Sequence, residues 1–303
     1  MLYRHDRLKI GYERVRKSGL TDYQMQRLFE ALSFVSLNDN LTRFSSQKFR
    51  KYLENSANLE RISENVEDDL IEDITGITAL VVRDGFDDYS FSHKSIQEYF
   101  SAVFIARLND ERKKKFYTKV IVDFNEYRKW QNTLAFLYII DERDYTKHFF
   151  IPFKRNSLNL DSRDRIRINY KALTRMIGDD SKIEVNEDGE LLKLFWGDTF
   201  SSSLYRDYSD YTKQLVKSFL ENRKEDIANF LAFCDVADYA KYQHGERNFI
   251  ISIDVLLTAA KLQKDACDHV SSRFESSSFK DDLVAMEKDL ISAESAADDI
   301  LEL

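Results

Sequence analysis

The stretch of sequence that decides the N-terminal fold reads Tyr89-Ser-Phe91-Ser-His93-Lys-Ser95-Ile-Gln97-Glu98-Tyr99-Phe100-Ser-Ala102. Its first residues alternate apolar and polar, which is typical of a short strand with one buried face. Ser95 and Glu98 have the spacing of a capping box, so a helix is predicted to begin there. His93 lies at the junction, where the positive end of a helix dipole favours anions.

The same stretch resembles the Phe-x-His-x-x-x-Gln-Glu-Tyr-Phe-x-Ala signature that ends the winged-helix domain of NACHT-type STAND NTPases, the NLR-like switch proteins. In that family the equivalent histidine reaches the phosphates of the bound nucleotide and helps to hold the inactive state. The resemblance therefore implies a phosphate contact for His93. The other signature positions are expected to be structural: Phe91, Ser95, Gln97, Glu98, Tyr99 and Phe100. A histidine that merely packs beside the hairpin is the alternative interpretation.

The composition predicts a folded, mostly helical protein. With 303 residues, 43% of them hydrophobic, the chain can bury a sizeable core and form two packing units. One proline and eight glycines leave few helix breakers. The longest apolar run, 134–140, is too short for a bilayer crossing, and charges near Met1 do not fit a signal peptide. We therefore expect a cytoplasmic protein without membrane contact.

Periodicity alone predicts the order of elements in the first third of the chain. Three helices, at about 21–38, 45–53 and 63–75, precede a hairpin formed by 79–82 and 89–91. Three helices followed by a β-hairpin is the order of a winged helix. The predicted domains are a basic N-terminal segment (1–20), a winged-helix domain (21–110) and an α-helical C-terminal domain (111–303).

The C-terminal domain is expected to consist of stacked helices, with a solenoid of helix pairs as one arrangement. A long helix is predicted to begin at Phe249. The last helix carries a heptad seam from Phe279 to Ile300, and this seam either docks on its own domain or joins two copies. The stretch 182–190 is interpreted as irregular or strand-like.

The sequence lacks the motifs of a working NTPase. A P-loop ends in Gly-Lys-Ser or Gly-Lys-Thr, and none of the eight glycines is followed by lysine. We therefore predict no enzymatic activity and no cofactor, with ATP or ADP reaching the chain only through a P-loop partner. The resemblance begins where the family's ATPase core ends. The chain is then expected to be either a C-terminal part of a longer protein or a separate subunit.

No metal site is predicted from spacing. The cysteines and nearby histidines do not form a compact ligand pattern: Cys234, His244, Cys267 and His269. The acids Asp179, Asp180 and Glu184 are interpreted as solvated loop residues. Two lone cysteines are expected to remain reduced thiols.

Two main functions remain open at this point, and a purely structural adaptor is a third alternative. The first is a regulatory and sensor module of a NACHT-like STAND protein in bacterial anti-phage defence, with an ATPase core or another protein as partner and an unknown trigger. The second is a winged-helix DNA-binding regulator that contacts phosphates through Lys48, Arg50 and Lys51. The acids of the hairpin tip, Asp84, Asp87 and Asp88, would repel phosphates and weigh against DNA.

Overall fold

A computed structural model describes residues 17–62, 67–78, 80–85, 87–161, 164–197, 203–233, 240–243 and 246–301. The chain divides into two compact units, Met1–Phe150 (unit 1) and Ile151–Leu303 (unit 2). The expectation of a mostly helical fold is confirmed, with two small antiparallel sheets among the described residues. None of the described helices combines the length and the apolar character that crossing a bilayer requires.

Unit 1 contains seven described α-helices and one sheet. In chain order its elements are α1 (Asp22–Asn38), β1 (Arg43–Ser45), α2 (Ser46–Leu59), α3 (Glu67–Glu72), a π-helical turn (Asp73–Thr78), β2 (Val81–Arg83), β3 (Asp88–Phe91), α4 (Lys94–Ala106), α5 (Asp110–Val122), α6 (Phe124–Ile140), α7 (Glu142–Tyr145) and a second π-helical turn (Thr146–Phe150).

The sheet of unit 1 is built from the hairpin and one additional strand. The strand order is β1-β3-β2, and both pairings are antiparallel. The predicted hairpin is confirmed, whereas β1 was missed because three residues with one buried side chain give too short a pattern. Behind the sheet, Phe29 of α1 meets Phe91 and Phe100 edge to face, at centroid distances of 5.8 and 4.8 Å. Burial of such a ring stabilises the fold by about 1.5–3 kcal/mol.

The helix boundaries of unit 1 follow local capping signals, with one correction. Thr21 and Gln24 form a capping box at the start of α1, and the Ser45 side chain accepts from the Lys48 N–H at the start of α2. The box predicted for Ser95 and Glu98 is wrong. The helix α4 begins one residue earlier, at Lys94, and its N-cap residue, His93, provides no side-chain cap. Glu98 points instead to another helix, as described below.

Unit 2 is less regular. Its described elements are α8 (Ile151–Leu158), α9 (Tyr170–Ile177), β4 (Lys182–Val185), β5 (Leu191–Phe195), α10 (Ser203–Glu221), α11 (Lys224–Phe233), β6 (Ala240–Gln243), β7 (Glu246–Ser252), α12 (Ile253–Ala259), α13 (Gln263–Glu275) and α14 (Ser278–Leu301).

A four-stranded antiparallel sheet lies in unit 2, in the order β5-β4-β7-β6. The prediction of a helix beginning at Phe249 is wrong, because Phe249 pairs with Val185 and Ala240 in this sheet and the helix begins at Ile253. An uninterrupted apolar run fits a buried strand and a buried helix equally well, so periodicity could not separate them.

The boundary between the two units falls later than the predicted domain boundary at 110/111. α6 packs against α4, and α5 packs against α6, so the helices up to Phe150 belong with unit 1. In unit 2, the start of α14 docks on its own unit. Leu283 is fully buried, and Phe279 contacts Tyr208 and Phe274. Farther along α14, Ile291 is 62% exposed.

Candidate functional site

The candidate site is centred on His93, the residue between β3 and α4. Its side chain is exposed, and its backbone is extended (φ −145°, ψ 140°). The His93 carbonyl accepts from the Ile96 N–H at 3.1 Å, but no side chain caps the helix. The N–H groups of the first helical turn have no partner inside a helix. An exposed imidazole therefore lies beside an uncapped, positively polarised helix end.

The hairpin fixes the position from which His93 projects. Val81 of β2 pairs with Phe91 of β3. One residue later, both the N–H and the hydroxyl of Ser92 donate to the Leu80 carbonyl, at 2.9 and 3.1 Å. The backbone leading into His93 is thereby held at the end of the central strand of the sheet, and residues 93–95 are exposed.

Gln97 fastens α4 to α1. The side chain is fully buried, and its Nε2 amide donates to Ser36 Oγ and to the Leu41 carbonyl, both at 2.8 Å. The Leu41 carbonyl lies in the loop between α1 and β1. One side chain thus joins three segments, which explains a glutamine at this position of the signature.

Glu98 and Tyr99 connect α4 to α6. Glu98 is 3% exposed and accepts from Asn132 Nδ2 at 3.0 Å, with Lys94 Nζ 3.6 Å from the same oxygen. The Tyr99 ring lies edge to face on Phe136, at a centroid distance of 5.5 Å. Ser95 is exposed and makes no cap. The signature therefore divides into residues that dock α4, of which Gln97 and Glu98 are buried and Tyr99 is 39% exposed, and an exposed stretch from His93 to Ser95.

The tip of the hairpin is acidic but partly neutralised. Arg43 Nε lies 3.1 Å from Asp88 Oδ2 and 3.4 Å from Asp84 Oδ2. Asp87 is exposed, and its carbonyl accepts from the Ser46 N–H at 2.8 Å. Arg43 thus offsets part of the negative charge at the tip.

The alternative DNA-contact residues occupy the first half of α2. Lys48 and Lys51 are exposed. Arg50 instead forms an ion pair with Asp68, whose side chain is 84% exposed. A phosphate would have to compete with that carboxylate for Arg50, whereas Lys48 and Lys51 carry no such pairing with Asp68.

Of the four residues considered for a zinc site from spacing, the structure describes Cys267 and His269. Cys234 and His244 lie outside the described residues. Burial, followed by the charge of Asp268, raises the pKa of the Cys267 thiol to about 11, so the thiolate that a metal needs is disfavoured. Burial and then the charges of Arg273 and Arg223 lower the pKa of His269.

The three acids considered for a cation have different environments. Asp179 and Asp180 are exposed in the turn before β4, whereas Glu184 is 8% exposed and accepts from Asn248 Nδ2 at 3.2 Å. Sequence reasoning also missed a cluster of Asp110, Asp144 and His148. Asp144 and His148 are four residues apart, a spacing that brings two side chains onto one helical face, but Asp110 comes from another helix and nothing in the sequence links it to them.

Comparisons with known proteins give one match. A search of curated proteins and a search of solved structures each found no match. A model of the short NACHT-associated C-terminal domain, family 11, matches residues 140–303, which is more than half of the chain. The matched residues extend to the end of the given sequence, whereas the signature around His93 lies outside them. The family match and the signature are therefore carried by different residues. The chain therefore belongs to family 11 of the short NACHT-associated C-terminal domains, and its resemblance to a C-terminal part of a NACHT-type protein is confirmed.

Proposed function

We propose that this chain is a non-catalytic regulatory module of a NACHT-like STAND switch protein. The observation that carries the proposal is the joint presence of a NACHT-associated C-terminal domain and, outside it, a signature whose histidine is exposed. Residues 140–303 would sense a trigger or hold the resting state. An ATPase core, supplied by the same protein or by a partner, would bind the nucleotide.

The N-terminal unit supports the proposal through its topology. Its elements follow the order helix, strand, helix, helix, strand, strand, and the sheet order is β1-β3-β2. We interpret residues 21–110 as a winged helix on this basis. This winged helix would hold the ATPase core in its inactive state, because the surface at the start of α4 would cover the nucleotide pocket of the core.

His93 would make the contact with phosphate. The side chain is exposed, the helix behind it is uncapped, and Lys94 adds a cation at the first helical position. Phosphate oxygens accept hydrogen bonds from N–H groups at helix N-termini and from imidazole. The buried contacts of Gln97 and Glu98 would keep this end of α4 in place, so that loss of the nucleotide is transmitted to α1 and α6.

We place the module in bacterial defence signalling, by analogy with the role of related switch proteins. Analogy at the level of a family supports a role without assigning a trigger. Unit 2 is the part in which recognition of a trigger would differ between proteins.

DNA binding is the second candidate, because Lys48 and Lys51 are exposed on α2. A winged helix commonly reads DNA with a helix and contacts the backbone with the hairpin. Here the hairpin tip carries three aspartates, of which Arg43 pairs with two. The remaining negative charge favours the switch function over DNA binding.

Two variants, each measured in both a nucleotide assay and a DNA assay, distinguish the two functions. The first variant is His93→Ala, and the second is Lys48→Ala combined with Lys51→Ala. Both are made in the NACHT protein that carries this chain, as one polypeptide or as a complex. The nucleotide that remains bound after desalting is measured by chromatography of the denatured sample, and binding to mixed duplex DNA is measured at low and high salt.

The switch function predicts that His93→Ala loses most of the retained ADP, while the double lysine variant keeps it. The DNA function predicts the reverse pattern: salt-dependent DNA binding that the lysine variant weakens and His93→Ala does not. Unchanged nucleotide retention in His93→Ala would contradict the proposed contact between His93 and phosphate.

A further inference from the structure

A cluster of metal-ligating groups lies in unit 1 away from His93. Asp110 is the first residue of α5, Asp144 belongs to α7, and His148 lies in the π-helical turn that follows. One carboxylate oxygen from each aspartate and a ring nitrogen of His148 all lie within 4.8 Å of one another. Short π-helical segments occur frequently at functional sites.

The closest contact in the cluster joins His148 and Asp110. His148 Nε2 lies 2.6 Å from Asp110 Oδ1. The His148 side chain is 7% exposed, whereas that of Asp110 is 66% exposed. The site thus has a buried wall formed by the imidazole and an open side through which an ion can enter.

The charges around this contact are of both signs. Lys113 Nζ bridges Asp141 Oδ2 at 2.7 Å and Asp144 Oδ2 at 2.6 Å. With Asp110, the group holds three carboxylates and one ammonium. Lys114 and Lys147 add two further ammonium groups that act on Asp110, so a cation would be held by its ligands and not by a surplus of negative charge.

A second, independent observation is the hydroxyl of Tyr117. The side chain is fully buried, and its hydroxyl has no hydrogen-bond partner among the described residues. The ring lies nearly parallel to His148, with 16° between the planes. A phenol hydroxyl at neutral pH keeps its proton and is therefore a hydrogen-bond donor. Buried hydroxyl groups without a partner are costly and call for an acceptor.

We propose that His148, Asp110 and Asp144 bind one divalent transition-metal ion, with Zn²⁺ as the best fit. Zn²⁺ takes imidazole and carboxylate ligands at about 2.0–2.2 Å and keeps water at an open position. The ion would take the place of the proton between His148 and Asp110. A hydroxide ligand, formed because Zn²⁺ lowers the pKa of bound water, would offer Tyr117 an acceptor, while Lys113 keeps its contacts with Asp141 and Asp144. The ion joins α5 to α7 and the turn after it.

The test is titration of the full chain, stripped with a chelator and dialysed, with Zn²⁺ in a calorimeter. We expect one Zn²⁺ per chain and no comparable binding of Mg²⁺, because imidazole nitrogen suits Zn²⁺ better. Asp110→Asn should weaken Zn²⁺ binding at least tenfold. Loss of a contact that only supports a ligand already costs about tenfold, and loss of a ligand should cost no less. Since Asp110 is mostly exposed, this variant should fold; thermal unfolding checks that it does.

The matched control is Glu111→Gln, one residue along the same helical turn, where the side chain is 75% exposed and pairs with Lys115. It removes the same charge and should bind Zn²⁺ as the native chain does. His148→Gln should weaken binding as Asp110→Asn does. Absence of saturable binding up to about 100 µM, a range in which specific sites bind, would overturn the proposal. Equal affinity in Asp110→Asn and the native chain would also overturn it, because the ion would then lie elsewhere.

Discussion

One contact in each unit shows how differently two internal contacts can be built. In unit 1, long charged side chains join the helices: Arg107 at the end of α4 binds Glu30 of α1 and Glu60 at the end of α2. In unit 2, the backbones of two glycines contact each other directly: Gly178, which follows α9, and Gly197, which follows β5. A side-chain network can lose a member and keep part of its bonds. Two backbones in direct contact cannot move apart without shifting the segments that carry them. A substitution at the glycine contact of unit 2 should therefore destabilise the protein more than loss of one side chain from the network in unit 1.

Gly178→Ala should have the largest effect on stability. Gly178 has φ +94°, and a Cβ added there would lie 2.5 Å from the Gly197 carbonyl carbon. Backbone strain and overpacking together should cost about 3–5 kcal/mol. Hydrogen exchange followed by mass spectrometry should show faster exchange throughout unit 2.

Gly85→Ala is the matched control, because Gly85 also has positive φ (+85°) but has no atom within 4 Å of the place that an added methyl group would occupy. It isolates the cost of the backbone conformation, about 1–2 kcal/mol. Equal losses in the two variants would show that the contact between Gly178 and Gly197 contributes nothing, and the contrast between the units would fail.

Arg107→Met should have the next largest effect and should act on unit 1. Arg107 Nε lies 2.8 Å from Glu30 Oε2, and the side chains of Glu30 and Glu60 are only 2% and 6% exposed. The change leaves buried carboxylates with fewer partners, although Arg27 still pairs with Glu60 at 2.9 Å. Breaking a buried ion pair in this way costs about 3 kcal/mol, as urea unfolding would measure.

Adding Glu30→Gln to Arg107→Met should restore part of the loss, because a neutral amide is cheaper to bury than an unpaired carboxylate. The comparison variant is Lys115→Ala, which breaks an ion pair with Glu111 in which both side chains are about three quarters exposed (74% and 75%). Its cost should stay below about 0.5 kcal/mol. A loss as large as that of Arg107→Met would contradict the importance given to burial.

The same contrast explains how much of the fold could be predicted from the sequence. Thr21 and Ser45 are caps, and caps act on the next three residues, so α1 and α2 could be placed from local signals. The start of α4 could not, because Glu98 bonds to Asn132 of α6 rather than to its own first turn. Tertiary contacts override local spacing at such positions.

Of the strands of unit 2, only the stretch 182–190 is interpreted from the sequence as irregular or strand-like, and the pairing of the strands escaped prediction for a related reason. Lys182–Val185 pairs with Phe249–Ser252, more than 60 residues later in the chain. No local periodicity reports such a pairing. For the candidate site, the signature identified His93, and the structure adds that the side chain is exposed while Gln97 and Glu98 are buried. The phosphate contact itself stays a prediction.

The smallest expected effect depends on pH and concerns an ion pair of unit 2 that is more exposed than the ion pairs of Arg107 in unit 1. Glu275 at the end of α13 accepts from Lys280 and, at 2.8 Å, from the Ile166 N–H. The bond from Lys280 and then that from Ile166 lower the pKa of Glu275 below its ordinary value of 4.5, against a smaller opposing effect of burial. Because the folded-state pKa is lowered, the stabilisation is complete above pH 4.5 and is lost as the pH falls through the folded pKa.

Glu275→Gln should therefore destabilise unit 2 at pH 7 and have little effect at a pH below the folded-state pKa, where the native carboxyl is also neutral. Glu275 is 39% exposed, so solvent screening limits the difference to about 1 kcal/mol. Unfolding in urea at both pH values measures it, and Lys280→Met should shrink the difference by removing the main cause. A loss in Glu275→Gln that is equal at the two pH values would mean that packing, and not charge, makes this contact, and it would then differ in kind from the contacts of Arg107.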